Sequence, residues 1–300
     1  MGNGSVNVCH ISDYKPNVLE WENFMSSIYS ANKYQSESVD DGIKIHLGYC
    51  NGDRTVAPYY KLGMQDDVHM LINGGSGSGK SVLVNSIIAT LTWLYAPNDL
   101  QLELIDLKGC EFKLFIDKKL PHVRSCKCIG YDVTIPHNLL SGLVDTINDR
   151  IRLFQNNDCK NIDEYNKSNS ENRVSKIVVV CDEYQRLFED YEARSYVLGD
   201  LLKIIKYGRA AGVHLIFSSQ SCGKNMDKDI LAGFSLRCAL RCDVDVSEAT
   251  LGSAHAIYIV EKSGWLWAKS NRIDESLMYF KTPFISDEVL LKYLERYSIK

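Results

Sequence analysis

The sequence predicts an α/β fold in which a mostly parallel central sheet is covered by helices on both faces. Short apolar runs bounded by turn residues alternate with segments in which apolar residues recur every three or four positions. Several of the runs are continuously apolar, which is typical of central parallel strands that are buried on both faces. Alternation of such strands with helices predicts a three-layer domain.

Eight segments are predicted to be strands because each is a short apolar or alternating run that ends at a turn signal. In chain order they cover residues 43–49, 69–72, 100–105, 176–181, 213–218, 236–241, 264–268 and 275–279. Amphipathic helices are predicted over residues 140–154 and 197–205, where large apolar residues repeat at helical spacing. The polar segment 156–176 is predicted to be a surface loop or an irregular helix end.

Three parts are predicted along the chain. Residues 1–42 form an accessory arm, in which one amphipathic stretch around residues 21–28 suggests a segment that binds a partner protein. Residues 43–285 form the main α/β domain. Residues 286–300 form a terminal helix, because Ser286 is a good N-cap residue and an apolar stripe follows it.

Composition excludes several classes of protein. The chain has 300 residues, 45% of them hydrophobic and 24% charged, which is typical of a globular protein and not of a disordered or fibrous one. A net charge of −4 argues against a surface that is basic all over, as in a DNA-coating protein. The longest apolar runs are far shorter than the ~20 residues of a membrane span, and no signal pattern begins the chain. We expect a cytoplasmic protein that reaches membranes only through partners.

Ten cysteines raise the question of disulfides or a zinc site. Their spacings contain no pair of C-x-x-C knuckles, and most cysteines lie in apolar segments. The pattern favours reduced, mostly buried thiols, and no structural metal is assigned.

The stretch INGGSGSGKSVLV, residues 72–84, is predicted to be a buried strand that runs into a glycine-rich turn and then a helix. Residues 74–81 match the pattern G-x-x-x-x-G-K-[ST] in full. In such a loop the backbone N–H groups and the helix N-terminus surround phosphate oxygens, and glycine is required because a Cβ would block the approach. A glycine-rich loop without function is the alternative, and the spacing and flanking elements argue against it.

The loop predicts a nucleotide site for ATP and Mg²⁺. Lys80 is expected to bridge the β- and γ-phosphates, and the hydroxyl of Ser81 is expected to ligate Mg²⁺. The predicted nucleotide-binding residues are Gly74, Gly75, Ser76, Gly77, Ser78, Gly79, Lys80, Ser81 and Val82.

The run KIVVVCDEYQRLF supplies the second half of the site, since Asp182 and Glu183 follow a buried strand directly. Asp182 is predicted to hold Mg²⁺ through water, and Glu183 to polarise the water that attacks ATP. An acidic turn without function is the alternative. The adjacent glutamate favours the branch of P-loop ATPases with an additional strand between the loop strand and the metal strand, in which residues 100–105 or another segment would be interposed.

Two more residues are candidates for the site. Gln220 is predicted at the carboxyl end of a buried strand, where it could sense the γ-phosphate; the alternative is an ordinary polar residue at a strand end. Arg209 is followed by two alanines and a glycine, which predicts a position at a packed edge. It could reach the nucleotide of a neighbouring subunit as a trans arginine finger, or it could form a surface ion pair.

A resemblance is carried by six segments that occur in the expected order. They read GGSGSGKSVLVNSIIATL, LELIDLKGCEF, LPHV, IVVVCDEYQRLF, GRAAGVHLIFSSQ and LRCALRCDVDVSEATLGS. Over residues 65–285 the sequence resembles the FtsK/SpoIIIE family of motor ATPases. The first and fourth segments are shared by many NTPases, whereas the last two are much more specific to this family.

The resemblance implies a RecA-like fold in a bacterial cytoplasmic ATPase, with residues 43–285 as the motor domain. It further implies a ring, expected to be a hexamer, with nucleotide bound between subunits. By motif matching, it supports Arg209 as the trans arginine and Gln220 as the sensor, and it adds Arg237 and Arg241 as interface candidates.

Two features depart from the family members that segregate chromosomes. Those members carry N-terminal membrane spans and a C-terminal winged-helix module, and neither is seen in this sequence. The usual proline after the sensor glutamine is replaced by Ser221. These departures argue against sequence-guided chromosome pumping. The family also includes plasmid and transposon transfer motors and the coupling ATPases of type VII secretion, of the EssC type, which move proteins.

The polymer that is moved is the open question. The segment SCGKNMDKDILAGF, residues 221–234, is of mixed charge, with Lys224 and Lys228 against Asp227 and Asp229. Its lysines could contact a DNA backbone, or the segment could be a solvated charged loop. The favoured hypothesis is a translocase of double-stranded DNA for mobile-element transfer or defence. The alternative is an ATPase directed at a protein, in a secretion-like or other multiprotein system.

Overall fold

The computed structural model describes residues 20–28, 38–40, 42–50, 58–63, 67–128, 134–189, 191, 194–221, 227–260, 263–270 and 277–297. Its helices are α1 (Glu20–Ile28), α2 (Lys80–Leu94), α3 (Lys113–Lys118), α4 (Thr134–Gln155), α5 (Ile162–Ser168), α6 (Arg194–Ala211), α7 (Lys228–Gly233), α8 (Val244–Leu251) and α9 (Asp287–Tyr297). Short 3₁₀ turns cover Tyr184–Phe188 and His255–Tyr258. None of the described helices has the length and apolar character needed to cross a membrane.

The strands form two sheets. They are β1 (Ile43–His46), β2 (Tyr49–Cys50), β3 (Tyr59–Leu62), β4 (Met70–Asn73), β5 (Leu100–Asp106), β6 (Val123–Cys128), β7 (Lys176–Asp182), β8 (Val213–Ser219), β9 (Leu236–Leu240), β10 (Trp265–Lys269) and β11 (Met278–Lys281). The large sheet has the order β2-β11-β10-β9-β4-β8-β7-β5-β6, and β1 pairs with β3 in a small antiparallel sheet.

The large sheet is parallel from β9 to β6, and its β10, β11 and β2 strands are antiparallel. Every residue of β7 and β8 is buried, as the continuously apolar runs predict for central parallel strands. An additional strand does lie between the loop strand β4 and the metal strand β7. That strand is β8, and the segment 100–105 forms β5 on the far side of β7.

Two apolar layers cover the sheet. On one face, Val178 and Val180 of β7 belong to a core that includes α1, α2 and α9. On the other face, Val179 and Cys181 belong to a core that includes α4 and α6. Alternate residues of one strand therefore enter opposite layers, as the pleat of a strand requires.

The N-terminal helix α1 contacts both α2 and α9. The indole Nε1 of Trp21 donates to Thr90 Oγ1 of α2 at 3.0 Å, and its ring meets Tyr293 of α9 edge to face at 5.2 Å. Thr92 Oγ1 of α2 lies 2.9 Å from the Tyr293 hydroxyl. Because Trp21, Phe24 and Met25 are almost fully buried, the apolar face of α1 is occupied by the chain's own core. A partner protein would have to contact other parts of the predicted arm.

Several predictions about secondary structure are corrected. The predicted strand 43–49 is broken after residue 46, because Gly48 takes φ +131° and a Cβ there would lie 2.0 Å from the Lys281 carbonyl oxygen. Strands β3 and β6 are absent from the prediction. The polar segment 156–176 contains the short helix α5, whose N-cap Asn161 accepts from the Glu164 N–H at 2.9 Å. Of the seven cysteines whose side chains are described, four are buried and Cys110 is exposed.

Candidate nucleotide site

The glycine-rich loop 74–79 connects β4 to α2 at the carboxyl edge of the parallel strands. Gly77 and Gly79 have φ of +71° and +98°, a conformation that other residues adopt only at a cost. At Gly79 a Cβ would also lie 2.7 Å from the backbone nitrogen of Gly264. Glycine at these two positions is therefore required by the conformation of the loop, and in a loop of this kind backbone N–H groups can surround phosphate oxygens.

Neighbouring strands hold the base of the loop. The Gly74 N–H donates to the Ser219 carbonyl at 3.2 Å, and the Gly75 N–H donates to the Arg241 carbonyl at 2.9 Å. The Ser78 carbonyl accepts from the Gly264 N–H at 2.8 Å. The ends of β8 and β9 and the start of β10 thus fix the loop in place.

Lys80 is the first residue of α2 and its side chain is almost fully buried. Its Nζ lies 2.6 Å from Oδ1 of Asp182, the last residue of β7. The sequence predicts these residues for one site although they are 102 positions apart, and the structure brings them into contact.

Three polar residues form one row across the edge of the sheet. In the pairing of β5, β7 and β8, Asp106 is opposite Asp182 and Asp182 is opposite Ser218. The Ser218 hydroxyl donates to Asp182 Oδ1 at 2.5 Å. Burial raises the pKa of the adjacent Cys181 thiol, and the carboxylates of Asp182, Asp106 and Glu183 raise it further. The site therefore concentrates negative charge where a cation is expected.

The residues present fit a magnesium ion and a polyphosphate. Asp182 Oδ2 is buried and has no hydrogen-bond partner among the described residues, so it is free to accept from metal-bound water. Ser81 is in the first turn of α2, directly after Lys80. The hydroxyl of Ser78, inside the loop, is likewise buried without a partner in the described part of the chain. Asp182 and Ser81 would hold the metal, which supplies charge compensation for phosphoryl transfer.

Glu183 directly follows β7 and is half-buried. Its backbone has φ 56° and ψ 44°, the left-handed region, which costs about 1–3 kcal/mol for a residue other than glycine. Its Oε1 accepts from the Ser219 hydroxyl at 2.6 Å. A strained residue beside a carboxylate that is predicted to bind a metal is typical of functional sites.

Gln220 lies next to Glu183, as its predicted role requires, but the contact uses its backbone. The Gln220 N–H donates to Glu183 Oε1 at 3.4 Å, and the residue is exposed. Its role as a sensor stays a prediction.

Arg209 is not brought to the site of its own chain. It is exposed in the last turn of α6, directly before β8 begins at Val213. Ser218, which contacts Asp182, is five residues further along β8 than Val213. At ~3.3 Å per residue, Val213 and Ser218 are about 17 Å apart. Arg209 therefore lies at the opposite edge of the sheet.

The two further arginine candidates, Arg237 and Arg241, lie in different surroundings. Arg237 donates from Nε to the Phe234 carbonyl at 2.7 Å and from Nη2 to the Leu231 carbonyl at 2.8 Å, so it caps the end of α7. Arg241 is exposed, and its carbonyl contacts the glycine-rich loop. Of these two arginines, only Arg241 lies at the nucleotide edge, the edge of the sheet that holds the glycine-rich loop.

Three residues of the site, Asp106, Ser218 and Ser219, have no role predicted from the sequence. The Asp106 carboxylate is fully buried and accepts four backbone N–H groups, from Lys108, Gly109, Glu111 and Phe112, at 2.6 to 3.2 Å. It therefore shapes the loop that stands beside the metal strand. The position of Asp106 in the sequence could have indicated a role in the site, because Asp106 ends a buried strand in the same way as Asp182.

Solved structures share this fold. The cytoplasmic domain of the type VII secretion ATPase EccC from Thermomonospora curvata has a TM-score of 0.79 at 19% identity, over 96% of this chain and 35% of that chain. The pCW3 conjugation coupling protein TcpA, in its monomer form with ATPγS, has a TM-score of 0.70 at 23% identity, over 89% and 73%. Likeness at these identities shows the fold alone, and the predicted fold class is confirmed.

Relatives with a higher identity are named DNA translocase FtsK. That of Caldanaerobacter subterraneus subsp. tengcongensis is 31% identical over 154 residues, 51% of this chain and 21% of the relative. That of Campylobacter jejuni is 32% identical over 203 residues, 65% of this chain and 20% of the relative. The chain spans about a fifth of the length of these relatives.

The model of the FtsK/SpoIIIE family matches residues 52–245. This match covers more than half of the chain and contains every predicted site residue. The resemblance is confirmed, as is the predicted class, a P-loop ATPase with ATP and Mg²⁺ as its ligands. The chain belongs to the FtsK/SpoIIIE family.

Proposed function

We propose that this chain is the ATP-hydrolysing core of a ring motor that moves double-stranded DNA, in the transfer of a mobile element or in defence against foreign DNA. The observation that carries the proposal is the contact of Lys80 with Asp182, with Glu183 beside it, at the edge of a family-typical sheet. The same edge holds the glycine-rich loop, so the groups that one chain supplies for hydrolysis converge there.

Each residue has a distinct task at this edge. The loop N–H groups and Lys80 bind the phosphates, and Ser81 and Asp182 hold Mg²⁺. Glu183 orients the attacking water and takes its proton as a general base. Gln220 senses the γ-phosphate, which its position one residue after β8 supports.

Assembly into a ring, expected to be a hexamer, completes the site. Arg209 lies at the far edge of the sheet and is exposed, so it cannot reach the phosphates bound by its own chain. As a trans arginine it acts on the nucleotide of a neighbouring subunit, where it stabilises charge on the transferred phosphoryl group. The exposed Arg241 supports a second interface contact at the nucleotide edge.

DNA is favoured as the polymer by the names of the relatives. The relatives at 31% and 32% identity are DNA translocases, whereas the secretion and conjugation proteins resemble this chain in fold alone. The segment predicted to contact DNA lies partly outside the described residues, and Lys224 is in that part. Lys228 begins α7, next to the N-cap Asp227.

The test measures ATP hydrolysis with and without linear duplex at low and high salt. Backbone contacts by lysines release counterions, so we expect stimulation by duplex at about 50 mM salt that is lost at about 300 mM. Lys228→Ala should weaken this stimulation, and Lys113→Ala, at an exposed position on α3, should not.

An unchanged rate in all four conditions would contradict the proposal. It would leave the alternative, an ATPase directed at a partner protein in a secretion-like system, which would be contacted through the N-terminal arm.

A further inference from the structure

Ser219 contacts both halves of the nucleotide site. It is the last residue of β8 and pairs with Asn73, the last residue of β4. Its carbonyl accepts the N–H of Gly74, the first glycine of the phosphate loop, at 3.2 Å. Its hydroxyl donates to Oε1 of Glu183 at 2.6 Å. One residue therefore connects the phosphate loop to the general base.

The connection continues beyond the end of the sheet. The Gln220 N–H donates to the same oxygen of Glu183 at 3.4 Å. The Ser221 hydroxyl donates to Gln185 Oε1 at 2.6 Å, and Gln185 Nε2 donates back to the Ser221 carbonyl. Residues 219–221 are thus bonded to residues 183–185, and they lead into the segment in which the lysines expected to contact DNA lie.

These bonds restrain the carboxylate that hydrolysis needs. Glu183 Oε1 accepts two protein donors, so both of its lone pairs are occupied and the carboxylate is held in one orientation. In this orientation only Oε2 is left to take the proton of water, and it can do so only where the held carboxylate places it. The left-handed backbone of Glu183 is strained, so release of these bonds would favour its relaxation. The observed arrangement is therefore a restrained one.

We propose that Ser219 is a positioning residue that restrains Glu183, and that displacement of residues 219–221 by the bound polymer releases Glu183 for hydrolysis. The inference rests on the proposed function, since it takes Glu183 as the general base and the polymer as the ligand of the segment after β8. It assigns to Ser219 the coupling between the polymer and the rate of hydrolysis.

The experiment compares Ser219→Ala and Ser219→Thr with the wild-type chain. The alanine variant lacks the donor, so its kcat without DNA should rise about tenfold, the factor expected for loss of one charge-assisted hydrogen bond. Its KM for ATP should stay within about twofold, because the Ser219 side chain contacts no residue of the phosphate loop. Stimulation, the ratio of the rate with duplex to the rate without it, should fall by the same factor as the basal rate rises, because the rate with duplex stays the same. The threonine variant keeps the hydroxyl and should behave as the wild type.

A matched control is Ser235→Ala, which removes a hydroxyl that accepts from the Val68 N–H at 2.8 Å before β4 begins. This control should keep both the basal rate and the stimulation. A basal kcat of Ser219→Ala equal to or below that of the wild type would overturn the restraint. If the alanine variant does not fold, Ser219→Cys, which has a weaker donor, decides by the same criterion.

The two proposals fail in different ways. A wild-type chain that duplex DNA does not stimulate overturns the proposed function, and the comparison of basal rates still decides whether Ser219 restrains Glu183. A stimulated wild type with an unchanged Ser219→Ala basal rate overturns the restraint alone.

Discussion

The ammonium of Lys80 lies 2.6 Å from Oδ1 of Asp182, and both side chains are almost fully buried. This ion pair joins the start of α2, directly after the glycine-rich loop, to the end of β7. Removal of one partner from a buried pair leaves an uncompensated charge, which costs about 3–5 kcal/mol. Binding and stability should therefore change together at this pair.

Lys80→Ala should lower the affinity for ATP about 100-fold, because a hydrogen-bonded charge on the phosphates contributes up to about 3 kcal/mol. It should also lower the melting temperature, since among the described residues Asp182 would keep only the Ser218 hydroxyl as a side-chain partner. Titration with a fluorescent ATP analogue and thermal unfolding measure both effects. The exposed Lys113→Ala is the control, and near-normal turnover of Lys80→Ala would contradict the assignment.

Glu183→Gln should bind ATP normally and stop hydrolysis. The amide cannot take a proton from water, and loss of a general base costs about 10²- to 10⁴-fold in rate. Single-turnover hydrolysis and retention of labelled ATP measure the two steps, and ATP-bound rings should become longer-lived by sedimentation. Glu189→Gln changes an exposed carboxylate six residues away and serves as control. An unchanged rate would remove Glu183 from this role.

Arg209→Ala should be inactive alone and active in part when mixed with Lys80→Ala. If Arg209 acts across an interface, a mixed ring contains some interfaces with an intact loop on one side and an intact arginine on the other. Hydrolysis is measured at several mixing ratios, with Arg152→Ala, an exposed arginine of α4, in place of Arg209→Ala as the control. Mixtures that remain inactive would argue against a role in trans.

Buried histidines should make the fold sensitive to acid. Burial lowers the pKa of His69 to about 4 and that of His214 to about 3. Their unfolded pKa is about 6.5, so between about pH 6.5 and 4 the unfolded chain binds protons that the folded chain does not. The free energy of unfolding should therefore fall with decreasing pH, by about 1.4 kcal/mol per pH unit for each such histidine.

His69→Asn tests this dependence. The Asn oxygen can replace Nδ1 of His69, which accepts the Leu215 N–H at 3.0 Å, and it does not titrate. Urea unfolding at several pH values should give a slope about 1.4 kcal/mol per pH unit smaller than that of the wild type between about pH 6 and 4.5. Equal slopes would show that His69 is not the source.

The sequence predicts the contents of the site better than the order of the sheet. Lys80, Asp182 and Glu183 could be predicted because the loop and the acidic strand end have local sequence patterns. The position of β8 between β4 and β7 could not, because strand order depends on contacts between segments far apart in the chain.

The failure to predict two strands, β6 and β3, has physical reasons. Strand β6 reads VRSCKC and lies at the edge of the large sheet, where polar residues are tolerated and no apolar run is needed. Strand β3 reads YYKL, and only its register with β1, Tyr60 opposite Ile45, identifies it. The bonds from Ser219 to Glu183 were likewise beyond prediction, because they join residues 36 positions apart without a sequence motif.

The helix that begins at Lys80, α2, also contacts both α1 and α9. Trp21 of α1 contacts Thr90, and Tyr293 of α9 contacts Thr92, two residues further along α2. A mechanical load on α1 or α9 is therefore transmitted by direct side-chain contacts to the helix that begins at Lys80. A force on α1 or α9 and a movement of the glycine-rich loop during hydrolysis would therefore act on the same 15-residue helix, α2.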